Sequence, residues 1–167
     1  MAFDGADNLF FADSGANLIR KVAVDGSLST VAGTGAAGFV DGPVAQAQFN
    51  APKGIAFDSA GAIYVADPNN NRIRKIGTDG AVSTYAGTGV QFGPLGDGGP
   101  ATLASITNPT DVAVDGAGNL LVVDQSGERL RRITPGGSSR LWQETAGPSL
   151  PAMEDRRNRR RSGFPMA

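Results

Sequence analysis

The sequence predicts an all-β fold made of three repeated antiparallel sheets, and three observations carry that prediction. The first is repetition: FFADSGANLIRKV at residues 10–22 returns as YVADPNNNRIRKI at 64–76 and, more loosely, as LVVDQSGERLRRI at 121–133. The second is punctuation, because the 24 glycines and 10 prolines of the 167 residues fall between short apolar runs instead of clustering. The third is the absence of helical periodicity in those runs. A repeat of this length marks a propeller, a solenoid or an array.

The first run of each unit is the set Ala2-Phe3-Asp4, Ala56-Phe57-Asp58 and Ala113-Val114-Asp115. Unit two shows the remaining elements most clearly. Its four runs are 54–58, 62–67, 72–77 and 82–86, separated by Ser59-Ala60-Gly61, Pro68 to Asn71 and Asp79-Gly80. Asp-Gly between β-prone runs is a hairpin signal, since the turn needs a positive φ that glycine adopts freely, and Asp25-Gly26 repeats it in unit one. Four strands joined by three tight connections form one antiparallel sheet per unit. The run Ala62 to Ala66 is apolar throughout, so both faces of its sheet should be covered. Ile73 and Ile76 break strict alternation, which predicts a bulge in the third strand.

The connections between units carry Gly and Asp first (Asp41-Gly42, Asp97-Gly98-Gly99), then a small-residue stretch that can make about one helical turn (44–49, 101–106), then Pro52 or Pro109. They are expected as long loops on one rim. The units span about 1–51, 52–108 and 109–140. The remainder, 141–167, is expected to be an irregular or disordered basic tail: it holds five Arg and three acids, whereas residues 1–140 hold ten basic and thirteen acidic residues.

With GIAFDSAGAIYVADPNNNRIRKI at 54–76 and the linker LGDGGPATLASITNPTD at 95–111, the chain resembles the NHL-repeat family, in a form similar to its bacterial members. Asn71, Asn17 and Glu128 stand where the family's name places a histidine. The resemblance implies a β-propeller of four-stranded blades, usually six. Three units cannot close a ring, so the chain is expected to be half of a six-bladed propeller. It would be a fragment of a longer product or a protomer completing the ring with a second copy; the alignment of Met1 inside a first strand favours the fragment.

The thrice-repeated Asp13, Asp67 and Asp124 sit at strand ends, where a carboxylate caps the following turn. With Asn17, Asn71, Arg20, Arg74 and Arg131 they form a repeat signature read as structural, with surface binding as the minority role. Asp41 and Asp97 are candidates for binding on the rim loops. Asp67 to Asn71 opens like a calcium loop, but Arg72 occupies the position that needs glycine, and no metal or cofactor is expected. The chain has no Cys and no His, which removes the usual nucleophile and base pairings, and no catalytic residue is assigned. The function expected is binding or scaffolding of a protein or small ligand on the rim. A fragment of a metal-dependent sugar-lactonase-like propeller is the alternative, and RNA binding, as some members of the family do, is disfavoured by the acidic body. No membrane span or signal peptide is visible, and the compartment stays open, with an exported parent compatible.

Overall fold

The computed structural model describes residues 1–91 and 93–141. They form three antiparallel sheets, stacked as blades. Blade 1 pairs β1 (Ala2–Phe3), β2 (Leu9–Asp13), β3 (Leu18–Val22) and β4 (Leu28–Ala32) in chain order. The connection after it contains a short strand, β5 (Gly42–Pro43). Blade 2 contains β6 (Ile55–Phe57), β7 (Ile63–Asp67), β8 (Arg72–Ile76) and β9 (Ala81–Ala86). Blade 3 contains β10 (Pro109–Val114), β11 (Leu120–Asp124), β12 (Arg129–Ile133) and β13 (Ser139–Leu141).

Local chemistry accounts for the hairpins. At the first turn of each blade an aspartate folds back on the backbone: Asp58 accepts from the N–H groups of Ala60 and Ala62 at 3.0 and 2.9 Å, and Asp4 and Asp115 do the same in their blades. The second turn passes through the left-handed region at Asn17, Asn71 and Glu128, with φ of 57°, 51° and 52°. Asparagine is among the non-glycine residues that enter that region most readily. Gly87 is fixed by close approach, since its φ is 94° and a Cβ there would collide with the Asn71 carbonyl.

Alternation along the strands then sorts side chains to two faces. In blade 2, Ile55, Ile63, Val65, Ile76 and Val82 pack toward blade 1, against Phe10, Ile19 and Ala32. The other face carries Ala56, Tyr64, Ala66, Ile73 and Ala86 and meets Val112, Leu120, Val122 and Ile133 of blade 3. This two-sided covering is why β7 is buried along its whole length. The connections finish both interfaces by inserting Ala47 and Phe49 into the first and Ala101 and Ile106 into the second.

Three details depart from the sequence reading. The bulge expected in the third strand is absent, since β8 pairs β7 without a shift and Ile73 and Ile76 simply face the two covered sides of the sheet; the extra residue belongs to the outer strand, where Ile73 pairs Ala86 and Arg74 pairs Thr84, leaving Tyr85 unpaired in register, and Val31 repeats this in blade 1. The connections are not simply loops. β5 pairs with β9 and makes blade 2 a five-stranded sheet, and Pro100 bridges to Ser138 in blade 3. Finally, β13 supplies a fourth strand where the resemblance between units has already faded, because backbone pairing with β12 needs no particular side chains. The expectation of an irregular tail concerns residues that, apart from Leu141 in β13, lie outside the described ones.

Candidate functional site

The repeated aspartates and arginines meet across the β-hairpins. Asp67 ends β7 and Arg74 lies within β8, which brings the Arg74 Nη1 to 3.2 Å from the Asp67 Oδ2, with both side chains fully buried. Arg74 also donates to the carbonyls of Gln48 (2.8 Å) and Val40 (3.0 Å) and to Asp41. Asp67 accepts from the N–H of Asn50 at 2.8 Å and from Asn70 at 2.8 Å. Burial pushes the Asp67 carboxyl above its ordinary value, against the Asn70, Asn50 and Arg74 contacts that favour its charged form.

Blade 3 builds the same centre. Arg131 bonds Asp124 through Nε at 3.1 Å, Asp97 at 3.1 Å and the Leu95 carbonyl at 3.0 Å, while Asp124 accepts from the Thr107 N–H at 2.8 Å. In blade 1, among the described residues, Arg20 meets only Asp13, at 3.5 Å, and its side chain is 26% exposed. The two rim candidates, Asp41 and Asp97, therefore each face an arginine from the connection that precedes its blade. Asp41 is also tied through its other oxygen to the Thr84 N–H at 3.0 Å.

Asn17 and Asn71 join a blade to the connection that follows it. Asn17 Oδ1 accepts from the Ala51 N–H at 2.8 Å and its amide donates to the Gly35 carbonyl; Asn71 Oδ1 accepts from the Asn108 N–H at 2.9 Å. Both acceptor bonds run from the tight turn of one blade to the start of the next.

The rim of blade 2 carries a groove of about 540 Å³ between its two connections. Phe39, Val40, Asp41, Arg72, Thr84 and Thr88 line it. The Arg72 guanidinium lies 4.3 Å from the centre of the Phe39 ring and is held there by the carbonyls of Asn70 (3.0 Å) and Thr88 (3.1 Å). Phe39 and Val40 are exposed. Arg72 and Phe39 were not singled out from the sequence as site residues. They lie far apart in the chain and no motif links them; the one available signal was the adjacent apolar pair Phe39-Val40 just before Asp41.

Among the described residues, no group of three or more carboxylates is placed to hold a metal ion, and no helix is long and apolar enough to cross a membrane. The buried Tyr64 and the half-buried Tyr85 are not poised as nucleophiles. Tyr64 and Tyr85 meet edge to face at 4.8 Å, and burial, with Tyr64 beside it, pushes the Tyr85 hydroxyl up to about 12.

Comparison with known proteins identifies the repeat. Residues 49–76 match the family model described as NHL repeat. NHL repeat-containing protein 2 of Homo sapiens is 34% identical over 137 residues, covering 81% of this chain and 18% of that protein. A structural genomics protein of unknown function from Bacteroides thetaiotaomicron superposes with a TM-score of 0.69 at 25% identity, covering 81% of this chain and 33% of the other. A virginiamycin B lyase from Staphylococcus aureus, with a TM-score of 0.57 at 17% identity over 85% of this chain and 39% of its own, shares the fold alone. The chain thus spans about a fifth of its human relative and a third of the Bacteroides chain.

Proposed function

Since this chain is built of NHL repeats folded as β-propeller blades, we propose that it is a non-catalytic binding module whose partner, a protein segment, docks on the rim groove of blade 2. NHL propellers commonly mediate binding. One observation carries the reading: an exposed Phe39 ring with Arg72 stacked on it at the mouth of a groove. Arginine and aromatic side chains dominate the energetics of protein interfaces, and here Arg72 is anchored by two carbonyls against the Phe39 ring before any partner arrives. Val40 adds apolar area, and the hydroxyls of Thr84 and Thr88 add polar contacts at the groove wall.

The carboxylates support the same reading. A hydrolase of the sugar-lactonase kind would need acidic and amide groups free to gather around a metal. The buried Asp67 and Asp124 instead neutralise arginines, and Asp4, Asp58 and Asp115 cap turns. The test is amide chemical-shift mapping of the full chain against a library of short apolar and acidic peptides. The reading expects shifts confined to 38–41, Arg72, 84–88 and Thr102, and their loss in Phe39→Ala. Calcium-dependent turnover of a lactone, or shifts that ignore Phe39→Ala, would sink it.

A further inference from the structure

The clamp that holds Arg72 stands outside the repeat scheme. Its guanidinium packs on the Phe39 ring, donates to the Asn70 and Thr88 carbonyls, and lies so close to the Gly89 backbone that a Cβ there would collide with it. Blade 3 keeps the arginine as Arg129, but Leu95 stands in the place of Phe39, and blade 1 has Leu18 where blade 2 has Arg72. Phe39 and Arg72 belong to neither apolar cluster between the blades, so stacking does not account for the clamp. Every residue lining the groove falls between positions 39 and 102, inside the chain and away from either end.

The groove still offers donors, while its carboxylate is already committed. Arg20, Arg74 and Arg131 each meet an aspartate, whereas among the described residues Arg72 is in no ion pair. Asp41, the carboxylate among the lining residues, gives one oxygen to Arg74 and the other to the Thr84 N–H. A guanidinium carries five N–H donors, and the two carbonyls leave some of those of Arg72 unused. The Thr88 hydroxyl oxygen accepts from the Val90 N–H at 3.4 Å, so its O–H is left to donate, and Thr102 brings a second hydroxyl. Apolar surface flanks these donors: Phe39 and Val40 on one wall, and Leu103, next to Thr102, at 63% exposure.

We propose that this groove selects a protein segment in which an aspartate or glutamate stands between aliphatic residues, with Arg72 as the residue that sets the preference. The inference rests on the reading of the groove as a binding site. The carboxylate of the segment meets the remaining Arg72 N–H groups and the Thr88 and Thr102 hydroxyls, and the aliphatic side chains lie on Phe39 and Val40. With the Phe39 ring and the Gly89 backbone both packed against the cation, N–H groups are what it has left to present, and a carboxylate matches them in a charge-assisted, bidentate pair. A cationic segment would bring like charge to a fixed arginine. A phosphoryl group would bring a second negative charge close to Asp41. Because Arg72 is already held in the free chain, binding does not have to order it, and its charge acts as a fixed selector.

The probe is the capped peptide acetyl-Gly-Leu-Asp-Leu-Gly-amide, whose one charge is its aspartate, titrated into the full chain with amide shifts recorded. Peptides with asparagine, lysine or phosphoserine in place of the aspartate are titrated in parallel. Saturable one-to-one binding is expected, with shifts at 38–41, Arg72 and 84–88. The asparagine peptide should bind about tenfold more weakly, as loss of a charge-assisted pair does. Raising salt from about 0.05 to 0.5 M should weaken the aspartate peptide and spare the asparagine one. In Arg72→Gln the two peptides should bind alike. The peptide comparison leaves the chain unaltered, so a folding defect in Arg72→Gln cannot obscure the result. Equal affinity for aspartate and asparagine, with groove shifts that vanish in Phe39→Ala, would overturn the acid preference and leave the groove reading standing. Tighter binding of the lysine or phosphoserine peptide would overturn it in favour of that chemistry. No saturation by any of the peptides at millimolar concentration, or shifts outside the groove, would overturn both.

Discussion

Blades 1 and 2 share nearly the same residues at the same registers, yet one ends in a closed ionic centre and the other in an open one. Arg74 sits among Asp67, Asp41 and two backbone carbonyls, whereas Arg20 has one partner at the limit of contact. The repeat therefore does not specify its own completion. Blades 2 and 3 each take their last edge partner, their second carboxylate and part of their core from the connection that precedes them. A blade in this fold is better defined as four strands together with the preceding connection, and mutations should follow that unit.

The largest difference should come from the arginines themselves. Arg74→Met removes one member of a buried pair and leaves Asp67 charged or forced to protonate in an apolar setting; a loss of about 3–5 kcal/mol is expected. Urea midpoints should show it, and Arg131→Met should match it. If the closed centre is what separates the blades, Arg20→Met should cost less than about 1 kcal/mol, because its pair is partly solvated. Equal costs for Arg74→Met and Arg20→Met would erase the comparison.

A smaller effect tests the join between blades 2 and 3. Asn71→Gly keeps the left-handed turn but deletes the acceptor for the Asn108 N–H, which should cost about 1 kcal/mol. The readout is faster amide exchange at Asn108, with Ala51 of the first join unchanged. The smallest effect is electrostatic. The Asn119 side chain, with the N–H groups of Asn119 and Ala117, holds the Asp115 carboxyl below the ordinary carboxylate range. Asn119→Ala should move it up toward that range, followed by carboxyl NMR. A depressed carboxyl contributes stability above its unfolded value and loses it as pH falls through the folded one. The variant should therefore show a shallower loss of stability on acidification.

Much of this was legible in the sequence, for identifiable reasons. Strand positions follow from apolar runs and turn residues, and these are local signals. The Asp67 and Arg74 match is local too, seven residues apart across one hairpin. β5 was not legible because Gly42-Pro43 has the composition of a turn; it becomes a strand only because β9 offers an edge. The placement of the bulge in β9 instead of β8 is a property of a pair of strands, which neither strand's sequence records alone. The partnership of Asp41 with Arg74 could have been found. Asp41 precedes Arg74 by 33 residues and Asp97 precedes Arg131 by 34, a spacing visible once the units are aligned on their arginines. The groove gave no such sign: Arg72 recurs as Arg129, but Phe39 has no aromatic counterpart before Asp97, where Leu95 and Gly96 stand, so the pair itself is not repeated.

The order of β5 and β9 along the chain also bears on how the protein is made. Translation runs from the amino terminus, so the strand that will cover the edge of blade 2 has left the ribosome well before that edge exists, and the same holds for Pro100 and β13. Blades 2 and 3 each emerge with their cover already synthesised, so vectorial synthesis leaves neither of their outer edges waiting for downstream sequence while the nascent chain is long enough to aggregate.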